Sequence, residues 1–110
     1  MNPQYKKGVL ELCVLALLQK RPRYGYEISE QLAAYVAIAD GTVYPILRKL
    51  KADGLLTTYL QEESGGPPRK YYKLTQLGEE TYAAGRAEYL KFAKAVLRIL
   101  NEEVEKDDED

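Results

Sequence analysis

The sequence predicts a mainly α-helical fold with a small β-hairpin. Four segments have the apolar pattern of helices, two short runs rich in Leu, Thr and Tyr flank a loop rich in Gly and Pro, and Arg-Pro and Asp-Gly breaks separate the segments. With 110 residues the chain has the length of one domain. A domain of this size buries only a modest part of its surface, so packing against a second copy would add to its stability.

The first helix is predicted from Tyr5 to Lys20. Apolar residues between positions 9 and 18 leave it almost no polar face, which is typical of a helix that is buried on all sides. Arg21-Pro22-Arg23 breaks the chain. A second helix is predicted from Gly25 to Tyr35, because its apolar residues are spaced four and three apart along one face.

The third helix is predicted from Thr42 to Ala52, with Asp40 as its N-cap and Gly54 beyond its end. One side of its helical wheel is apolar and faces the core, with Val43, Ile46, Leu47 and Leu50. The opposite side combines small residues with hydrogen-bond donors, namely Gly41, Tyr44, Pro45, Arg48 and Ala52, with Thr42, Lys49 and Lys51 at its margins. Such donors suit base edges and phosphates, and an ordinary solvated basic face is the alternative.

Two strands are predicted to form a hairpin, from Leu55 to Gln61 and from Lys70 to Leu74. The loop between them contains Ser64-Gly65-Gly66-Pro67-Pro68, and Arg69 and Lys70 follow it. Prolines stiffen such a loop and glycines permit a tight turn, so we expect a basic finger beside the third helix. Glu62-Glu63 on the other limb would repel phosphate unless these side chains point away.

A long last helix is predicted, with Thr75 as its N-cap and an end near Glu103. Its length of roughly 43 Å exceeds the roughly 35 Å diameter of a compact domain of this size. Residues spaced alternately by three and four form a seam along it: Tyr82, Gly85, Tyr89, Phe92, Val96 and Ile99. We therefore expect a homodimer whose interface contains Leu12, Tyr82, Tyr89, Phe92, Val96 and Ile99. Packing of the seam on its own domain is the alternative.

The formal net charge of −1 is unevenly distributed, because residues 102–110 carry −6 and residues 1–101 carry +5. A basic body suits a nucleic-acid partner, and terminal charge runs are usually solvated. The absence of His and the single Cys13 argue against an enzyme, a metal site or a cofactor. No apolar run reaches membrane-spanning length and no signal peptide is recognisable, so a cytoplasmic protein without a membrane partner is expected.

Three helices, a strand, a loop, a second strand and a long helix, in this order, form the plan of a winged helix-turn-helix. We expect residues 1–75 to form a DNA-binding domain and residues 76–104 to form a dimerisation helix in the same compact unit. Residues 105–110 are expected to form a disordered acidic tail. A winged-helix protein-interaction module without DNA binding is the alternative, and such a module need not keep a basic third helix beside a basic wing.

Four motifs resemble those of the PadR-like transcriptional regulators: Tyr24-Gly25-Tyr26-Glu27-Ile28, the stretch from Gly41 to Leu50, Asp53-Gly54-Leu55, and the stretch from Gly65 to Thr75. The resemblance extends from about Val9 to Gly78, and the single long last helix is similar to the smaller branch of that family. It implies a dimeric repressor whose third helix enters the major groove of a double-stranded DNA operator and whose wing touches the backbone or minor groove. Ala39 departs from the family, which often has Ser there, so the helix start is assigned to Asp40.

By position, the resemblance assigns DNA binding to Tyr24, Tyr26, Thr42, Tyr44, Arg48, Lys49, Arg69 and Lys70. It also implies a small aromatic effector between the subunits, at Leu12, Ala16, Tyr89 and Phe92. Gly85, between Tyr82 and Tyr89, is expected to leave a gap flanked by two flat rings. Packing of these residues as plain dimer core is the alternative, because aromatic residues at heptad spacing usually pack in this way.

Overall fold

The computed structural model describes residues 3–62 and 65–103. Its elements are α1 (Pro3–Lys20), β1 (Arg23–Tyr24), α2 (Gly25–Ala33), α3 (Val43–Ala52), β2 (Leu56–Gln61), β3 (Arg69–Leu74) and α4 (Gln76–Leu100). The predicted order of helices and strands is confirmed, and β1 is an addition to it. A strand of two residues is too short to show the alternation by which strands are recognised. The predicted acidic tail lies outside the described residues.

The three strands form one antiparallel sheet in the order β1-β3-β2. Leu56 in β2 and Leu74 in β3 lie opposite each other, and both are buried. This face of the sheet therefore packs on the helices. Because side chains alternate between the two faces of a strand, Tyr59 and Tyr71 lie on the outer face, where the register also pairs them.

The hydrophobic core lies where α1, α2 and α3 meet the sheet. Its buried side chains are Leu10, Val14, Leu15, Leu18, Ile28, Leu32, Val43, Ile46, Leu47, Leu50, Leu56 and Leu74. Val14, Ile28 and Leu47 are fully buried and come from three different helices, so this point fixes how the helices cross. Burial of a side chain of this size stabilises the fold by about 1.5–3 kcal/mol.

Helix α1 is only partly covered within one chain, so burial on all sides, as its apolar pattern predicts, would require a second molecule. Leu10, Val14 and Leu18 are buried on the side that faces the core. Leu12 and Cys13 are half-buried, and Leu12 lies on the side of α1 that packs against α4 at Gly85. The continuous apolar run therefore serves two surfaces, only one of which is filled by the protein's own core.

Two predicted helix boundaries are wrong. Asp40 does not cap α3, since the N-cap is Thr42 and its side chain makes no capping hydrogen bond. Gly41, with φ of +82°, turns the chain between Asp40 and the helix, and this separates the carboxylate from the first turn. Helix α2 ends at Ala33, and Tyr35, predicted to lie on its apolar face, is 87% exposed in the turn that follows.

Helix α4 begins where it docks on the turn after α3. Thr75 is its N-cap, as predicted, and accepts a 3.0 Å hydrogen bond from the Gly78 amide. The Thr75 hydroxyl donates to the Gly54 carbonyl at 2.7 Å, and the Thr75 amide donates to the Leu55 carbonyl at 3.0 Å. A Cβ at Gly78 would lie 2.1 Å from the Leu55 carbonyl oxygen, so only glycine permits this approach.

The far end of α4 extends beyond the domain. Its 25 residues give a length of about 37 Å, and the molecule measures 69 × 28 × 21 Å. Phe92, Leu97, Ile99 and Leu100 are 55–70% exposed along this end. The predicted overhang is therefore present, although the helix ends at Leu100, before the predicted Glu103.

We expect Gly78→Ala to destabilise the protein by about 1–3 kcal/mol or more, because the added methyl group overlaps the Leu55 carbonyl and must displace α4. Urea denaturation followed by circular dichroism measures the change. Gly66→Ala is the matched control, since a Cβ there meets no atom within 4 Å. Equal stabilities of the two variants would show that α4 does not depend on this close approach.

Candidate nucleic-acid interface

Helix α3 presents a polar face to solvent, as its pattern predicts. Val43, Ile46, Leu47 and Leu50 are all buried at 2% exposure or less and attach the helix to the core. On the opposite side Pro45 and Arg48 are exposed, and Tyr44 is 40% exposed. The outer face is therefore free to enter a groove, while the inner face keeps the helix rigid.

Five of the predicted DNA-binding residues come together at one cavity. This cavity of about 600 Å³ lies between the start of α2, α3 and the sheet, and is lined by Tyr24, Gly25, Tyr26, Tyr44, Arg69, Lys70 and Tyr72. Gly25 and Tyr72 were not predicted as site residues. The lining combines two cations with four phenol groups, all of which are able to donate hydrogen bonds to phosphate oxygens.

Tyr44 packs directly on the backbone of Gly25. A Cβ at position 25 would lie 2.9 Å from Tyr44 Cε1, so the ring occupies the space that any other residue would fill. This contact joins the first turn of α2 to the first turn of α3. The orientation of the Tyr44 ring thus depends on the absence of a side chain at Gly25.

A row of tyrosines crosses the outer face of the sheet. Tyr71 in the central strand lies 5.6 Å from Tyr24 in an edge-to-face contact and 5.6 Å from Tyr59 in a stacked one, measured between ring centroids. The Arg69 guanidinium lies over the Tyr24 ring at 4.5 Å from its centroid. Aromatic and cation–π contacts of this kind contribute about 0.5–1.5 kcal/mol each, so the row stiffens the wing.

The two wing cations lie nearer the body of the protein than the sequence suggests. Arg69 and Lys70 begin β3, paired with Gln61 and Leu60, and are not at the tip of the loop. Arg69 stacks back on Tyr24 because the two strands that carry these residues are adjacent. The tip itself contains Gly65, Gly66 and the two prolines among the described residues.

Arg48 and Thr42 flank the cavity without lining it. Arg48 is exposed and near Tyr72: burial raises the pKa of the Tyr72 phenol, the neighbouring Tyr44 adds to this, and the Arg48 charge opposes it. Thr42 is half-buried at the start of α3 and lines a second cleft, together with Pro45. Both residues therefore lie close to the outer face of α3.

Lys49 is not brought to this face. Its Nζ contacts Glu11 Oε1 at 3.3 Å and Asp53 Oδ2 at 3.0 Å. The hydrogen bonds to Asp53 and Glu11, in that order, raise the pKa of the Lys49 ammonium group. Glu11 belongs to α1, so the contact that turns Lys49 away from the other residues was not visible in the pattern of α3.

An arginine pair that sequence reasoning missed supports the start of α2. Arg23 is only 6% exposed, and its Nε donates to the Leu17 carbonyl at 2.9 Å near the end of α1. Glu27 forms ion pairs with Arg21 and Arg23. The hydrogen bond from Arg21 is the main cause of the lowered pKa of the Glu27 carboxyl group. The sequence feature that could have indicated these contacts is an Arg between the two predicted helices, where the structure buries it.

The predicted effector residues meet at another cavity, which has a volume of about 560 Å³ and lies between α1, α4 and the end of α3. Leu12, Tyr89 and Phe92 line it, whereas Ala16 does not. Gly85 also lines this cavity together with Tyr89, whereas Tyr82 does not, and Leu12 Cδ1 approaches Gly85 so that an added Cβ would lie 3.2 Å from it.

The seam of α4 is divided into two parts. Tyr82, Gly85 and Tyr89 are half-buried in the part that lies against the domain. Phe92 and Ile99 are 55% and 60% exposed in the overhanging part, where Val96 is half-buried. The alternative that the seam packs on its own domain therefore holds only for the first part.

Within residues 3–62 and 65–103, no helix has the length and apolar character needed to cross a membrane. The same residues contain no group of three His, Cys, Asp or Glu side chains placed to hold a metal ion.

Three helices followed by a hairpin, with two wing cations beside the polar face of the third helix, define a winged helix-turn-helix. A model of the transcriptional regulator PadR-like family matches residues 14–84. The chain belongs to this family, whose members are transcriptional regulators that bind DNA and not enzymes. The family assignment favours DNA binding over the alternative of a protein-interaction module.

Three relatives illustrate the similarity. The PadR-like transcription factor of Bacteroides fragilis is 41% identical, with a TM-score of 0.73 over 87% of this chain and 94% of that one. The PadR-like transcriptional regulator of Bacillus cereus is 32% identical, with a TM-score of 0.80 over 88% of this chain and 96% of that one. A transcriptional regulator of Mycobacterium tuberculosis is 33% identical over 74% of this chain, which spans 65% of that protein's length.

Proposed function

We propose that the protein is a transcriptional repressor that binds an inverted-repeat operator as a homodimer. The observation that carries this proposal is the convergence of Tyr24, Tyr26, Tyr44, Arg69 and Lys70 on one cavity beside the polar face of α3. A dimer with two-fold symmetry binds two half-sites about one helical turn apart, near 10 base pairs. Occupation of an operator blocks the access of other proteins to the same DNA.

Each residue of the interface has a role that follows from its placement. Arg48, exposed in the middle of α3, reads a base edge, because a guanidinium suits the two acceptors of guanine. Arg69 and Lys70 neutralise phosphates beside the wing. Hydroxyl groups near the start of α3 donate hydrogen bonds to the phosphate backbone of the DNA, namely those of Tyr24, Tyr26, Thr42 and Tyr44. Lys49, held by Glu11 and Asp53, positions α3 and does not contact DNA.

The homodimer is formed by the overhanging part of α4 and the uncovered side of α1. Phe92 and Ile99 are 55% and 60% exposed, and Val96 and Leu12 are half-buried, so this apolar surface is only partly covered by the described chain. Leu90, Leu97 and Leu100 widen the apolar surface of α4 to about half of its circumference. A surface this wide suits contact with two helices of a partner.

A small aromatic effector releases the repressor from its operator. Leu12, Tyr89 and Phe92 supply apolar and aromatic walls of the cavity between α1 and α4, and Ala16 lies on the same apolar helix. Lys49 and Leu50 of α3 also line this cavity. A ligand there touches the helix that reads DNA, which provides a direct route from effector binding to operator release.

Arg48→Ala should lower affinity for the selected operator by about 1–3 kcal/mol and reduce the ratio of specific to bulk binding.

Arg69→Ala with Lys70→Ala should weaken binding to all DNA sequences alike and lower the salt slope by about one for each phosphate that is no longer neutralised. The operator comes from selection out of a random DNA pool, and salt titrations on operator and random duplex measure both effects. Arg98→Ala on α4 is the matched control. A parental specificity ratio in Arg48→Ala would remove its role in base reading, and a parental salt slope in the wing variant would remove the wing from the DNA.

Phe92→Glu and Val96→Glu should each convert the dimer into monomer. The reason is that removing an unpaired carboxylate from water into an apolar interface costs far more free energy than its new contacts contribute. Static light scattering at micromolar concentration measures the mass. Ala87→Glu, on the polar side of α4, should leave the dimer intact. A monomeric parent protein would contradict the proposed assembly.

Planar aromatic compounds should quench the fluorescence of the protein's tyrosines with saturation, because Tyr89 and Tyr5 line the effector cavity. Phe92→Ala should weaken this binding, and Tyr59→Phe in the wing should not. If a broad set of planar compounds gives no saturable signal, the cavity is dimer core and not a ligand site.

A further inference from the structure

A second basic surface borders α3 on the side opposite the wing. A cleft of about 410 Å³ separates the first turns of α1 from the start of α3, and it is lined by Lys6, Lys7, Leu10, Ile38, Ala39, Thr42, Pro45 and Ile46. Lys6 and Lys7 form its basic edge and are both exposed. None of the DNA-binding assignments made above includes either lysine.

Lys6 and Lys7 have no ion-pair partner among the residues that the structure describes. Lys49 differs, because Glu11 and Asp53 hold its ammonium group. Two acids lie near this surface: Asp40 is exposed beside Ala39 at the far wall of the cleft, and Glu11, one turn after Lys7 on α1, is already paired with Lys49. The surface therefore keeps a net positive charge.

The start of α3 separates this surface from the wing cations. Tyr44 lines the cavity that contains Arg69 and Lys70, whereas its neighbour Pro45 lines the cleft that contains Lys6 and Lys7. One pair of cations thus lies on each side of the helix. The major groove is about 12 Å wide and is bounded by the phosphates of two strands. A helix lying in it has one row of phosphates on each side.

We propose that Lys6 and Lys7 bind DNA phosphates on the strand opposite the one that the wing contacts. The proposal rests on the proposed function, since it requires α3 to lie in the major groove. The two pairs of cations then hold α3 from both sides and fix its depth and angle in the groove. Lysine suits this role because its flexible stem carries a compact charge that does not require one phosphate geometry.

Lys6→Gln with Lys7→Gln tests the proposal by salt titration on duplex DNA. The slope of log affinity against log salt should fall by about 0.9 for each phosphate that is no longer bound, which amounts to about 3 to 4 when both lysines bind DNA in both subunits of a dimer. Lys91→Gln with Lys94→Gln removes the same charge from α4 and should change the slope by less than about one. Lys6→Arg with Lys7→Arg should keep the parental slope, which separates charge from folding.

Phosphate ethylation interference locates the bound phosphates. The Lys6 and Lys7 variant should lose interference on one strand of each half-site, and Arg69→Gln with Lys70→Gln should lose it on the other strand. Loss of interference at the same phosphates in both variants would overturn the opposite-strand placement, and a slope change no larger than that of the α4 control would overturn the proposal. A parent protein without salt-dependent DNA binding would instead overturn the proposed function itself.

Discussion

The close approach of α4 to the turn at Gly54 and Leu55 joins the long last helix to the three shorter helices and the sheet. This turn is the point where α3 ends and β2 begins, so the same few backbone atoms position α3, the wing and the long helix α4. Thr75 donates hydrogen bonds to the carbonyl groups of Gly54 and Leu55, and the absence of a side chain at Gly78 allows the close approach. The position of α4 is therefore fixed by backbone atoms that directly follow the end of α3.

The wing is held by a different kind of interaction. Strand β1 is very short, yet it places Tyr24 beside the central strand β3. There the Tyr24 ring packs against the Tyr71 ring and under the Arg69 guanidinium. Arg23 attaches the same segment to α1 through its hydrogen bond to the Leu17 carbonyl and to α2 through its ion pair with Glu27. The wing thus has a rigid base, and its two cations begin at a defined position beside α3.

Local patterns were sufficient to predict most of the fold, because each long element buries one face of a regular repeat. The inner side of α3 and the capping by Thr75 follow directly from residue spacing and residue type. The errors occur where a distant segment decides the outcome. Glu11 draws Lys49 away from the outer face of α3, and β1 exists only because β3 pairs with it. Asp40 failed as a cap because the conformation of Gly41, and not the residue type at 40, determined the geometry.

The contact between Gly25 and Tyr44 constrains how the recognition surface could diversify. The ring occupies the volume of the missing side chain, so the two positions cannot vary independently. A smaller residue at position 44 opens space at position 25, and a side chain at position 25 requires the Tyr44 ring either to shift or to be replaced by a smaller residue. Redesign of the outer face of α3 should therefore treat the two positions as a unit, because the residue at the start of α2 limits which residues are tolerated in the first turn of α3.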